Sequence, residues 1–201
     1  MKHHNEIESR LAAISDVLAN TSTCFDVYYE LQNDSKRDTY ELIIDAYPIF
    51  FETTVIAHLI AMSTLIYSLL ETRNDSHNIP DLLRAMRLCG KDTTAISAIE
   101  GKIKNLRPTW VKVSRIRNEV FGHRSKERSP EQIFAEIDLL PEQIGRFIQE
   151  LKTLTSEIAG VLEIDVPDVL SISATENTID VMRALADQVY RGHQTDPALL
   201  S

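Results

Sequence analysis

Glycine and proline are scarce in this chain of 201 residues, at six and seven. That scarcity weighs against a β fold, which needs such residues at its many turns. Cysteine is scarcer still. Cys24 and Cys89 have no metal-binding spacing and build no framework of bridges, so both read as reduced thiols of a cytoplasmic protein. No basic stretch leads into an apolar core near Met1, so no secretory signal is read there. His3 and His4 form a lone pair without the further ligands that a metal site requires. The chain also lacks a Gly-rich phosphate loop, a paired metal-ligand motif and a nucleophile elbow, so no cofactor is expected. What remains is 43 % apolar residues, enough for one sizeable core and little for two. One domain over 1–192 and a tail over 193–201 are expected.

The net charge of −9 argues against indiscriminate binding to nucleic acid. Its distribution says more. Residues 101–128 hold nine Lys or Arg against Glu119 and Glu127, a local charge of +7, which leaves −16 for the remainder. Such a contrast can focus a polyanion on one site and repel it elsewhere, although a basic solvated helix face gives the same pattern.

Apolar periodicity predicts helices throughout. Ile7, Leu11, Ile14, Leu18, Phe25 and Tyr28 form one stripe, placing a first helix at about 5–30. The polar run from Gln32 to Arg37 is read as its end, with Asp38 capping the next helix and Pro48 kinking it or starting another. Residues 49–70 are long and apolar enough to span a membrane. Glu52 and His58 interrupt them and no Lys/Arg cluster marks one side, so the centre of a bundle or a dimer interface is expected, with His58 as a core or interface residue. A loop from Arg73 to Asn78 leads to a short helix with Pro80 in its first turn and Gly90 past its end. Asp92 caps a helix that Pro108 interrupts. Ser129-Pro130-Glu131-Gln132 starts another, Pro141 restarts or kinks the next, and a last helix over about 176–191 stops at Gly192. With no convincing strand, the class is all-α, an elaborated up-and-down bundle.

The most informative stretch is Arg117-Asn118-Glu119-Val120-Phe121-Gly122-His123-Arg124, at the end of a predicted helix within the basic stretch. Arginine holds phosphate in a planar fork, and histidine exchanges protons near neutral pH. With a polar hydrogen bonder they suffice to cleave a phosphodiester without a metal, using the RNA 2′-hydroxyl as nucleophile. Residues six apart on an ideal helix are ~240° apart around its axis. A left-handed Gly122 would end the helix and fold His123 back over the last turn. Phe121 is expected beside the Arg117 stem, and Asn118 is expected to orient His123 or a partner subunit's group. The competing reading has Arg117 paired with a carboxylate and His123 capping helix-end carbonyls.

The octapeptide resembles the signature of the HEPN superfamily, an Arg with an adjacent polar residue followed by a His. Ile116-Arg117-Asn118 and Phe121-Gly122-His123-Arg124 look most like its abortive-infection U-type (AbiU-like) branch, over roughly 105–137. The resemblance implies a helical bundle that dimerises with the two motifs facing each other, and often a metal-independent ribonuclease. Some members of the superfamily carry a Tyr two positions after the His, a site of modification; here Ser125 stands there.

The expectation is therefore a homodimeric endoribonuclease toxin of phage defence or a toxin–antitoxin pair, leaving 2′,3′-cyclic phosphate ends. Arg117, Asn118 and His123 are the catalytic set; Lys112, Arg115, Arg124 and Lys126 bind RNA. An antitoxin protein is a further expected partner, and a membrane is not. The alternative is a non-catalytic dimeric helical module that binds RNA, a nucleotide or a protein through the same basic cleft.

Overall fold

Helices begin in this protein where side chains or prolines relieve the first turn of its unpaired amides. The buried Asn78 accepts from the Asp81 amide at 2.8 Å, and its own amide donates to the Arg73 carbonyl at 2.7 Å. Asp92 accepts from the Thr94 amide. Ser129 and Gln132 form a reciprocal capping box, with Pro130 in the first turn. At Pro141 the Gln143 side chain reaches back to the Leu140 amide.

The computed structural model describes residues 2–32, 34–73, 76–122, 128–165 and 168–194, with side chains at 5–32, 40–73, 76–122, 128–165 and 168–191. The elements are α1 (Lys2–Gln32), α2 (Asp34–Ala46), α3 (Pro48–Leu70), α4 (Ile79–Leu88), α5 (Thr93–Arg115), α6 (Pro130–Ile137), α7 (Pro141–Leu162) and α8 (Thr175–Gln194). A π-helical segment (Ile116–Gly122) follows α5, and a 3-10 turn (Asp168–Ser171) precedes α8. Among the described residues there is no strand, and the all-α expectation holds.

Three boundaries differ from the sequence reading. The polar run after α1 does not wait for Asp38: α2 begins at Asp34, since charged residues propagate a helix once an apolar face anchors it. Pro108 does not interrupt α5. It lacks the amide for one helical hydrogen bond and crowds the preceding turn, but Leu106 and Val113, buried on either side of it, hold the backbone helical. Gly192 does not stop α8, which continues to Gln194; a single helical glycine costs only about 1 kcal/mol. Residues 195–201 of the expected tail lie outside the described residues.

Contacts divide the chain into two compact units, 1–22 with 60–172 and 23–59 with 173–201. In the first, α5 packs on α7, α4 on α5, and α6 on the π-helical segment. Its core includes Leu82, Leu83, Ile96, Ile99, Phe147, Leu151 and Ile158, all with 3 % or less of their surface exposed. Ser15 and Thr155 are buried there, each hydroxyl donating to the carbonyl four residues back. Arg10 pairs with Asp81, and Arg87 with Glu100.

In the second unit α2 packs on α8, and Tyr40 and Ile43 of α2 form a buried cluster with Phe51 of α3 and Met182 of α8. Asp26 accepts from the Ser173 hydroxyl at 2.7 Å and the Ala174 amide at 2.9 Å, fixing the start of α8. His58 sits half-buried, its Nδ1 2.7 Å from the Thr54 carbonyl. Ile49, Phe50 and Ile56 on α3 are exposed. Among the described residues α3 is the one helix long and apolar enough to cross a membrane by length and composition, yet only 22 % of its most apolar stretch is buried. No group of potential metal ligands occurs among the described residues, and Cys24 and Cys89 are free thiols.

Phe147→Ala is expected to cost about 3–5 kcal/mol, because it empties a fully packed site; chemical denaturation measures it. The buried Tyr40 hydroxyl donates to Glu30 at 2.9 Å, and burial, reinforced by that carboxylate, pushes its pKa up to about 12. A raised pKa adds stability below the ordinary value of 10 that is lost as pH climbs toward 12. The melting-temperature gap between wild type and Tyr40→Phe should therefore narrow across that interval.

Candidate functional site

Arg117 sits in a turn wider than an α-helix. In a π-helix each amide bonds the carbonyl five residues back, so residue i+5 stands over residue i. Gly122 accordingly lies against Arg117: a Cβ added at Gly122 would meet the Arg117 carbonyl oxygen at 3.2 Å. The sequence reading expected a left-handed Gly122, but Gly90, at φ 74°, is the only described glycine with positive φ. The helix therefore widens at Gly122 and does not end there in a left-handed cap. His123, Arg124 and Lys126 themselves lie outside the described residues.

The segment is pinned from one side by α6. Ile116, Val120, Ile133 and Ile137 form a buried cluster, with Phe121 and Leu139 packed against it. Phe121 therefore serves the core beneath the motif, and a different ring meets the guanidinium. Above this cluster lies an ion-pair network. Arg115 donates to Glu119 at 2.8 Å and to Glu136 at 3.3 Å, while Arg128 donates to Glu119 at 2.9 Å and to Glu136 at 2.8 Å. The Arg115 hydrogen bond is the chief reason that the Glu119 carboxyl is held below its ordinary range. Lys112 donates to the Asp138 carbonyl at 2.7 Å, just past the end of α6. Lys112 and Arg115, both expected at the substrate, are thus engaged by this framework.

Arg117 is held differently. Its guanidinium carbon lies 4.6 Å from the centre of the Tyr67 ring on α3, and one terminal nitrogen donates to Asn118 Oδ1 at 2.7 Å. Among the described residues no carboxylate pairs with it. Tyr67 in turn stacks on Trp110 of α5, centroids 5.7 Å apart and planes 17° apart, and the Trp110 indole donates to the Tyr67 carbonyl at 3.3 Å. Arg107 lies over Trp110, 5.9 Å from the ring centre. A guanidinium on an aromatic face is oriented without being neutralised, and its edge donors remain in the plane that a phosphate approaches.

The structure joins Asn118 to Arg117 itself, its amide oxygen accepting from the guanidinium, where the sequence reading had it orienting His123 or a partner subunit's group. Sequence reasoning gave neither Tyr67 nor Trp110 a place at the site. Partners 43 and 50 positions away leave no mark in local spacing.

An all-α chain with an Arg-polar pair at a helix end and a His shortly after it defines a HEPN-type helical module. The chain belongs to the AbiU2 family of that superfamily, whose family model matches residues 3–180. No curated protein and no solved structure matches it.

The network makes an acid-side prediction. A carboxyl with a lowered pKa contributes stability above its ordinary value of 4.5, which is lost as pH falls through the lowered value. Glu119→Gln should melt below wild type at neutral pH, and the gap should close as the solution is acidified past 4.5. A gap that stays constant would show that the ion pairs contribute nothing there.

Proposed function

We propose that this protein is a metal-independent endoribonuclease of abortive infection or of a toxin–antitoxin pair, with its Arg–His motif completed across a homodimer. The observation that carries the reading is the state of Arg117. Its neighbours Arg115 and Arg128 are taken up by Glu119 and Glu136, whereas Arg117 rests on a neutral ring and an amide. An arginine that no described carboxylate pairs with, and whose orientation is fixed, is suited to receive charge that grows only during a reaction.

His123 of one subunit removes the 2′-hydroxyl proton. The 2′-oxygen attacks phosphorus, the bond to the 5′-oxygen breaks, and the partner's His123 protonates that leaving oxygen. Arg117 stabilises the phosphorane, and Asn118 holds the guanidinium in register. The products are a 2′,3′-cyclic phosphate and a 5′-hydroxyl. Arg124 and Lys126 bind the strand, and Lys112 and Arg115 shape the positive field along which it arrives. The exposed apolar residues Ile49, Phe50 and Ile56 offer a surface for a second copy to cover. A small inhibitory protein that covers Arg117 is a further partner of this reading.

Incubation with RNA in EDTA should yield cyclic phosphate ends, and His123→Ala and Arg117→Ala should each abolish both cleavage and growth arrest. Positioned acid–base groups supply factors of about 10² to 10⁴, so the loss should be severe. Arg117→Ala should leave melting within roughly 1 kcal/mol of wild type. Phe121→Ala should behave as a packing variant and lower stability. Intact RNA under all conditions would point to a binding module without chemistry, and a His123→Ala variant with full toxicity would move the site elsewhere.

A further inference from the structure

Within the basic stretch, the described arginines fall into two groups. Arg115 and Arg128 are paired with glutamates. Arg107 and Arg117 lie instead against the two rings of one stack, Arg107 on Trp110 and Arg117 on Tyr67, so that contacts run from Arg107 through Trp110 and Tyr67 to Arg117 as a ladder. No carboxylate partners either of these two among the described residues. Arg107 is exposed, and Trp110, Tyr67 and Arg117 are half-buried, so solvent reaches the ladder along its edge.

We propose that this ladder is a binding track for single-stranded RNA, in which Arg107 is a second phosphate contact on the same strand whose scissile phosphate lies at Arg117. The proposal rests on the reading that RNA reaches Arg117, and extends that site by two ring layers. Proteins that hold single strands combine cations along the backbone with aromatic groups beside the bases. Here the rings have a fixed separation, because the Trp110 indole is tied to the Tyr67 carbonyl. Each guanidinium thus has an aromatic partner whose own position is fixed. A guanidinium is weakly hydrated and always charged, and one already stacked gives up little freedom when it takes a phosphate. A duplex would present its paired strands to the edge of the ladder as a rigid cylinder, whereas a single strand can follow the stack, so single-stranded substrate is favoured.

Trp110 is the only tryptophan in the chain, so its emission reports on the ladder alone. The test is a fluorescence titration of the full chain with a 2′-O-methyl RNA oligonucleotide, which lacks the nucleophile and stays intact. Saturable change in Trp110 emission is expected at low salt, with a duplex of the same sequence binding at least several-fold more weakly. Arg107→Ala should weaken binding several-fold and make the slope of log K against log salt shallower by about 0.7, the share of one phosphate on a single strand. Arg107→Lys should restore part of the salt slope. With cleavable RNA, Arg107→Ala should raise KM and leave kcat near wild type.

Arg107→Ala binding with wild-type affinity and salt slope would overturn the proposal, even if RNA is cleaved and the Arg117 reading stands. A poly-glutamate peptide producing the same emission change with equal affinity would overturn it too, pointing to an acidic protein partner. Conversely, binding that follows the ladder while natural RNA stays uncut would retain the track and dismiss the ribonuclease.

Discussion

A helix that ends in a π-turn must find other means of holding its last residues, because the wider ring gives up regular α-helical contacts between successive turns. At Ile116–Gly122 the replacement comes from α6, through the cluster of Ile116, Val120, Ile133 and Ile137. Burial of four aliphatic side chains of this kind is worth about 1.5–3 kcal/mol each before entropy is charged against it. Everything at the candidate site follows from that anchoring. It fixes the side of the segment facing α6, and so leaves Arg117 to meet the Tyr67 ring.

The charges divide along the same line. Glu119 and Glu136 lie with Arg115 and Arg128 in one closed network. Each such partly exposed pair contributes a fraction of a kcal/mol, so the network matters less for stability than for where the carboxylates are. With both acids occupied by other cations, neither neutralises Arg117. A basic stretch of +7 thus does not behave as a uniform patch. It contains cations that build the framework and cations that stay available, and the type of partner tells them apart.

Much of the fold was legible because its signals are local. Caps at Asp92 and Ser129, prolines at 48, 80, 130 and 141 and the apolar stripes each act within one or two turns, and the helices follow them. Pro108 and Asp38 misled for one reason: a local preference of a few kcal/mol at most yields when the surrounding helix is anchored by burial. At the site, the Arg117–Asn118 pair was visible as a motif, and the family resemblance that it carried agrees with the match over residues 3–180. The π-turn was not visible, since no local residue pattern marks it and the α6 side chains packed against it lie further along the chain. Nor was Tyr67, which lies on another helix and was hidden among the apolar residues of α3. The ladder exists only once the chain has folded.

Asp26 on α1 receives its hydrogen bonds from Ser173 and Ala174, across 147 and 148 positions of chain. A comparably long span separates α2 from α8, whose Tyr40, Ile43 and Met182 are buried together with Phe51 of α3. During synthesis the ribosome delivers α8 after every other described helix. Until then Tyr40, Ile43 and Phe51 lack the neighbour that covers them, and a nascent chain carries an open apolar face for the whole interval in which α4 to α7 are made. At about 5–20 residues per second that interval lasts on the order of ten seconds, long enough for a chaperone, or a second nascent chain on the same message, to find it first.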